Sequence, residues 1–151
     1  MQTFVPSDPD FDRRVRTSFA RQNIMSLLQA TIVRVAPGQV DVALPVRPEL
    51  GQQHGFVHAG VVTAIVDTAC GYAALTLVPP GTGVLSIEFK TNLLAPARGS
   101  TLNARARVLK PGRNICVCAG DVFALDDHGE TLVATMLATI MVVRGRPGLV
   151  D

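Results

Sequence analysis

The chain has no tryptophan and a single tyrosine, Tyr72, among 151 residues. Aromatic residues amount to 5%, too few to build a base-stacking platform for single-stranded nucleic acid. Charge is scarce as well. Asp, Glu, Lys and Arg together make up 17%, and the net charge is +2. So small a surplus leaves no footprint for a polyanion, and nucleic acid is not an expected partner. The three cysteines, Cys70, Cys116 and Cys118, are odd in number and lack metal-ligand spacing. They read as reduced, buried thiols of a cytoplasmic protein. The opening residues, MQTFVPSDPDFDRR, carry charge where an export signal needs an apolar run, so no such signal is expected. There is no internal repeat and no low-complexity tract. What the chain does have is apolar side chains, 48% of the total. That suits a single globular domain large enough to bury a core.

Much of that apolar content lies in one stretch, His54 to Val78 (HGFVHAGVVTAIVDTACGYAALTLV), with one carboxylate, Asp67, near its middle. His58 to Val78 is about the length of a membrane span. Asp67 would cost about 2.5–3.5 kcal/mol at the centre of a bilayer, and the chain continues as alternating strands that a lone span does not need. The stretch therefore reads as one long central helix of a protein with no membrane association. A carboxylate on a buried helix is expensive unless something compensates it. Either it caps or pairs locally, or it serves function.

Residues 1–10 read as a flexible tail and 145–151 as a short second tail, with one domain over 11–144. Phe11 to Leu28 shows a helical stripe of Phe11, Val15 and Phe19, with Gln22 as a candidate fourth member, flanked by Arg13, Arg14, Arg16 and Arg21 as a solvated face; Asp10 or Asp12 could cap it. ATIVRV and QVDVAL, over 30–35 and 39–44, make a hairpin through Pro37-Gly38. A loop spans 45–57. Pro79-Pro80-Gly81 stops the long helix. Four more strands follow. The first sets Leu85, Ile87 and Phe89 against Ser86, Glu88 and Lys90. The second points Leu102, Ala104, Ala106 and Val108 inward. The third runs over 115–125 with Gly120 as a bulge, and the last, 132–143, is apolar nearly throughout. One apolar helix with antiparallel strands implies an α+β hotdog fold, a curved sheet wrapped around the helix, with an extra helix at the N-terminus.

The start of the long helix offers unpaired N–H groups that suit a developing oxyanion. At Ala59-Gly60 the side chains are small enough for a carbonyl to approach. Asp67 lies eight residues further on, about 12 Å along the axis. One helix cannot present both groups to one carbonyl. Two antiparallel helices related by a two-fold axis could, so any chemistry implies a homodimer with shared sites, with a dimer of dimers left open.

The run Gln52-Gln53-His54-Gly55-Phe56-Val57-His58-Ala59-Gly60, then Asp67, resembles the signature of hotdog-fold acyl-CoA thioesterases of the phenylacetate-pathway, PaaI-like branch. That family shows Asn-x-x-Gly-x-x-His-Gly-Gly with an Asp seven residues later. Asn92-Leu93-Leu94-Ala95-Pro96-Ala97 resembles the family's segment after the third strand, and the similarity covers about Leu44 to Val143. The resemblance implies that Asp67 is nucleophile or general base, that the Ala59 N–H with Gly60 polarises the thioester carbonyl, and that Gln52 orients water or leaving group. It also implies that Ser86 stands near the attacking water. Gln52 replaces Asn, Ala59 replaces a Gly, and the basic residue often found near Leu94 is missing. His58 reads as a structural imidazole at the helix start, or as a proton shuttle. His54 with His58 has i, i+4 spacing but no third ligand, so no metal is expected. Substrate-binding candidates are His58, His54, Ser86, Lys90 and Arg113, the basic ones as anchors for coenzyme A phosphates; Arg98, Arg107 and Lys110 are alternatives, and all can equally be surface charge. Coenzyme A would be part of the substrate, with no separate cofactor. A non-catalytic acyl-CoA-binding hotdog domain is the alternative. A hotdog enoyl-CoA hydratase is disfavoured, because its His five residues after the Asp is here Tyr72.

Overall fold

The computed structural model describes residues 3–149. Six antiparallel strands form one sheet in the order β1-β2-β4-β5-β6-β3. They are β1 (Thr31–Ala36), β2 (Gln39–Pro45), β3 (Thr82–Leu93), β4 (Thr101–Lys110), β5 (Ile115–Asp126) and β6 (Gly129–Arg144). The helix α3 (Ala59–Leu75) lies across the sheet and touches five of the six strands. This is the expected hotdog arrangement. Two short helices, α1 (Phe11–Phe19) and α2 (Asn23–Leu28), precede the sheet. The core lies between α3 and the inner face of the sheet. Val62, Ile65, Val66, Ala69, Ala73 and Leu75 of α3 meet Val42, Leu44, Leu102, Ala104, Cys118, Val122, Ala138 and Ile140 there. The inward set expected for β4, Leu102, Ala104, Ala106 and Val108, is buried throughout.

Local chemistry adjusts the boundaries. The central helix is shorter than its apolar stretch. His54 to Val57 belong to the preceding loop, and the helix ends at Leu75, four residues before the first proline. Thr76 Oγ1 donates to the Ala73 carbonyl at 2.7 Å and accepts from Gly38 N–H at 2.7 Å, tying the helix end to the β1–β2 turn. Arg14, expected on a solvated face, is instead mostly covered. It donates to the carbonyls of Leu75 and Val78 at 2.8 and 2.6 Å. A cation on the last carbonyls of a helix is favourable both as a hydrogen-bond donor and against the macrodipole. Asp8 sits 3.4 Å from Arg14, Ser7 Oγ donates to Leu77 O, and Phe4 packs against the core, so 4–8 lie on the domain rather than away from it.

The single N-terminal helix expected over 11–28 is two helices. The chain breaks at 20–22, and α2 ends on Gln29 in the left-handed region, φ 59°. Asp10 occupies the N-cap position of α1 without making a capping bond; its side chain pairs with Arg13 at 2.7 Å.

β3 departs from simple alternation. Its pairing with β6 shifts register between Ser86 and Glu88. Ser86 pairs with the buried Ile140, and Phe89 pairs with the buried Ala138, so both lie on the inner face. Leu85 pairs with Met141 and lies on the outer face. The expected grouping of Leu85 with Phe89 against Ser86 therefore fails, because the bulge at Ile87 flips the pleat. Gly120 is not a bulge: it pairs in register with Ala106 and Met136. A side chain there would meet Val66 Cγ2 at 2.5 Å, so glycine allows α3 to sit close on the sheet.

Candidate active site

Two cavities open along α3. The first, about 380 Å³, is lined by Asp67, Thr68, Gly71 and Tyr72 of α3 and by Gly83, Val84 and Ser86 of β3, with Ser18, Arg21 and Gln22 from the N-terminal segment. Asp67 is half-buried. Its Oδ1 accepts a 2.6 Å hydrogen bond from Ser86 Oγ. That contact exists because the Ile87 bulge leaves Ser86 on the inner face. The hydroxyl satisfies one lone pair of one oxygen, so the rest of the carboxylate is available to the cavity.

The second cavity, about 540 Å³, lies at the start of α3. Gln52, His54, Phe56, His58 and Ala59 line one side, and Leu93, Leu94 and Val133 the other. Here the loop geometry decides which amides are free. His58 is the N-cap of α3, and its Nδ1 accepts from Gly60 N–H at 2.9 Å. A Cβ on residue 60 would stand 3.0 Å from that nitrogen, so the glycine permits the cap. The His58 carbonyl takes the N–H groups of Val61 and Val62. Among the described residues, nothing accepts from the Ala59 N–H. Of the two amides expected to polarise a carbonyl, the Gly60 amide is therefore committed to His58, and the Ala59 amide is open. It carries the partial positive charge of the helix end.

Gln52 is fixed by a tight turn. Its backbone N–H donates to Phe56 O at 2.8 Å, and Gly55, at φ 81°, closes the turn. Gln52 Oε1 accepts the His54 N–H, which ties the side chain to the loop beside Ala59. His54 is exposed and neighbours Gln53. Among the described residues, no three His, Cys, Asp or Glu side chains gather as a metal site.

Lys90 and Arg113 line neither cavity. Lys90 pairs with Leu137 on the outer face of β3, and Arg113 lies in the β4–β5 turn, where its carbonyl accepts from Arg144. Arg105 and Arg107 are paired with Glu130 and Asp121. The Arg98 guanidinium stacks 4.2 Å from the centroid of the ring of Phe56, which lines the second cavity. Ser18, Gln22 and Tyr72 were not legible as cavity residues, because they come from segments far apart in sequence. Ser18 Oγ and Tyr72 OH stand 3.1 Å apart. The thiols are chemically quiet: burial pushes Cys118 up to about 12 and Cys70 well above its usual range. No helix among the described residues is long and apolar enough to cross a membrane.

Residues 54–131 match the family model described as the thioesterase superfamily. A thioesterase family protein of Silicibacter pomeroyi superposes with a TM-score of 0.88 at 45% identity, covering 89% of this chain and 99% of that one. A phenylacetic acid degradation-related protein of Ralstonia eutropha superposes with a TM-score of 0.75 at 25% identity, covering 87% of this chain and 98% of that one. A protein of Saccharolobus solfataricus that bears an esterase name is 27% identical over 94 residues, 62% of this chain; the match spans 66% of that relative, just under two thirds of its length. The family match encloses both the start of α3 and Asp67, and the chain belongs to the thioesterase superfamily, as a hotdog protein of the PaaI-like type.

Proposed function

We propose that the protein is a hydrolase that cleaves acyl-CoA thioesters to the free acid and coenzyme A. The observation that carries this reading is the pairing of a half-buried carboxylate, hydrogen-bonded to Ser86 across 2.6 Å, with an open backbone amide at the start of the same helix. Both groups face cavities, and β3 runs between them. Its Gly83, Val84 and Ser86 line the Asp67 cavity, and Leu93, at its other end, lines the Ala59 cavity.

β3 is also an outer strand of the sheet, with its second edge open. Leu85, Ile87, Phe89 and Leu93 on it are exposed, which an isolated chain has no reason to favour. Antiparallel pairing of β3 with the β3 of a second copy, about a two-fold axis near its middle, sets the Ser86 end of one strand beside the Leu93 end of the other. Each Asp67 cavity then joins the Ala59 cavity of the partner. In this homodimer one carbonyl meets the Asp67 of one protomer and the Ala59 amide of its partner, which a single α3 cannot arrange.

In that site the Ala59 N–H holds the thioester oxygen and stabilises its negative charge as the carbonyl becomes tetrahedral. Asp67 either attacks the carbonyl carbon itself or takes a proton from the water that does. The C–S bond breaks, and the thiolate leaves as a good leaving group. In the first case water then hydrolyses the acyl-aspartyl anhydride. Ser86 orients the carboxylate, and Gln52 belongs to the amide side of the site. Arg98, stacked on Phe56, is our candidate for meeting the phosphates of coenzyme A. Quiet, reduced thiols fit a cytoplasmic enzyme. The experiment is thiol release from a panel of acyl-CoAs with the purified protein. Turnover of at least one acyl class supports the reading; no release from any of them refutes it.

A further inference from the structure

The chain after β6 turns back onto the Asp67 cavity. Arg144, the last residue of β6, pairs with Thr82 at the start of β3, and its guanidinium donates to the Arg113 carbonyl. Gly145 then takes φ 61°, a left-handed conformation that ends the strand. Arg146-Pro147-Gly148-Leu149 follows as a β-turn. The Leu149 N–H donates to the Arg146 carbonyl at 3.1 Å, and Gly148 has φ 82°. Proline at the second position and glycine with that φ at the third are the features of a type II turn. The reversal is therefore written into the sequence. Residues 144–148 are exposed, whereas Leu149 is half-buried. Gly148 and Leu149 both line the Asp67 cavity.

We propose that Leu149, seated by the Pro147-Gly148 turn, is the wall against which the acyl group ends, so that this one side chain sets the length of acyl chain the protein accepts. The assignment rests on the thioesterase reading for the direction of the substrate. In that reading coenzyme A lies on the Ala59 side, and the acyl group runs past Asp67 towards Gly71 and Gly83. Gly71 is four residues beyond Asp67 on α3, about 6 Å further along the axis. A Cβ at Gly71 would meet nothing within 4 Å among the described residues, so the helix face is open there. The turn reaches the same end of the cavity, because Gly83 pairs with Val143 just before β6 ends. Val84 and Leu149 are the aliphatic side chains of the lining, and they suit contact with a hydrocarbon chain. Leu149 lies outside the buried core cluster, so its size can be changed without opening the core.

The test is a series of straight-chain acyl-CoAs of increasing length, assayed with the full chain as wild type, Leu149→Ala, Leu149→Trp and Gly148→Val. Leu149→Ala trims the wall and should move the kcat/KM optimum to chains about three carbons longer. For the first chain that wild type rejects, kcat/KM relative to the wild-type optimum should rise about tenfold. Leu149→Trp should move the optimum to shorter chains. Gly148→Val puts a β-branched residue at positive φ, which breaks the turn, so it should behave as Leu149→Ala does. Calorimetric titration with non-hydrolysable thioether analogues of the same chains reads the length limit without turnover. One length profile shared by wild type and both Leu149 variants overturns the assignment, and so does a wild-type profile in Gly148→Val. Turnover with unshifted profiles would refute the wall and leave the hydrolase standing. A length limit in binding that moves with Leu149, without hydrolysis of any thioester, would keep the wall and refute the hydrolase.

Discussion

Ser86 on edge strand β3 donates to Asp67 at the middle of α3 across 2.6 Å. The bond couples the carboxylate to the strand whose open edge is the proposed dimer seam, so the orientation of the acid and the assembly of the site depend on one element. Asp67→Asn keeps an oxygen to accept from Ser86 but can neither attack nor take a proton. It should lower kcat by at least ~10²-fold with an unchanged circular dichroism spectrum and melting curve. Ser86→Ala removes only the orienting bond and should cost about tenfold in kcat. Near wild-type turnover by purified Asp67→Asn would exclude Asp67 as nucleophile or base.

The open edge of β3 carries Ile87 at 52% and Leu93 at 55% exposure in the single chain. A stable monomer would keep that row of apolar side chains and unpaired backbone groups in water. Sedimentation equilibrium should therefore find no 16.0 kDa species at assay concentration. Lys or Pro at Ile87 should produce monomer and abolish activity together. A fully active monomer would remove the basis for a shared site.

Alkaline conditions should loosen the core before they affect the site. The Cys118 thiol is pushed from 9.0 to about 12, first by burial and then by Cys116 beside it. An unfolded chain releases that proton near 9.0, whereas the folded chain holds it. Folding therefore keeps its full stability below pH 9 and loses it progressively as pH rises towards 12, on the order of 4 kcal/mol across the whole window. Urea unfolding at pH 8, 9.5 and 10.5 should show the decline, and Cys118→Ala should show a shallower one. Identical slopes in the two proteins would place the effect elsewhere.

The fold was legible wherever burial follows a simple period. Leu102, Ala104, Ala106 and Val108 alternate because only one face of β4 meets α3, and the apolar run after His58 makes a helix because nearly all of its circumference is covered. Legibility stopped where one residue breaks the period. Nothing in VLSIEFKT distinguishes a regular strand from one bulged at Ile87, yet that bulge puts Ser86 against Asp67. Gly120 looked like a bulge because glycine weakens strands, whereas its role is close contact with Val66. In the site, Asp67 and Ala59 were legible as a lone carboxylate and a small-residue helix start. The capture of the Gly60 amide by His58 depends on a side-chain rotamer that no spacing encodes. The inward turn of Arg14 depends on the carbonyls of Leu75 and Val78 at and just beyond the end of α3, more than sixty residues away.

The central claim, that each site takes its carboxylate from one chain and its amide from the other, has a direct test in Ala59→Pro. Proline at the first helical position suits a helix start and removes only the N–H in question. His58 before it already has the extended conformation that a following proline requires, at φ −60° and ψ 136°. Ala59→Pro and Asp67→Asn should each fold and each be weakly active. When the two are co-refolded in equal amounts, about half of the dimers are mixed, and each mixed dimer holds one site with both lesions and one with neither. Thiol release from the mixture should recover to roughly a quarter of wild type, well above either parent. Activity equal to the parents' average, with subunit exchange demonstrated in the same sample, would place each site within one chain and contradict this account.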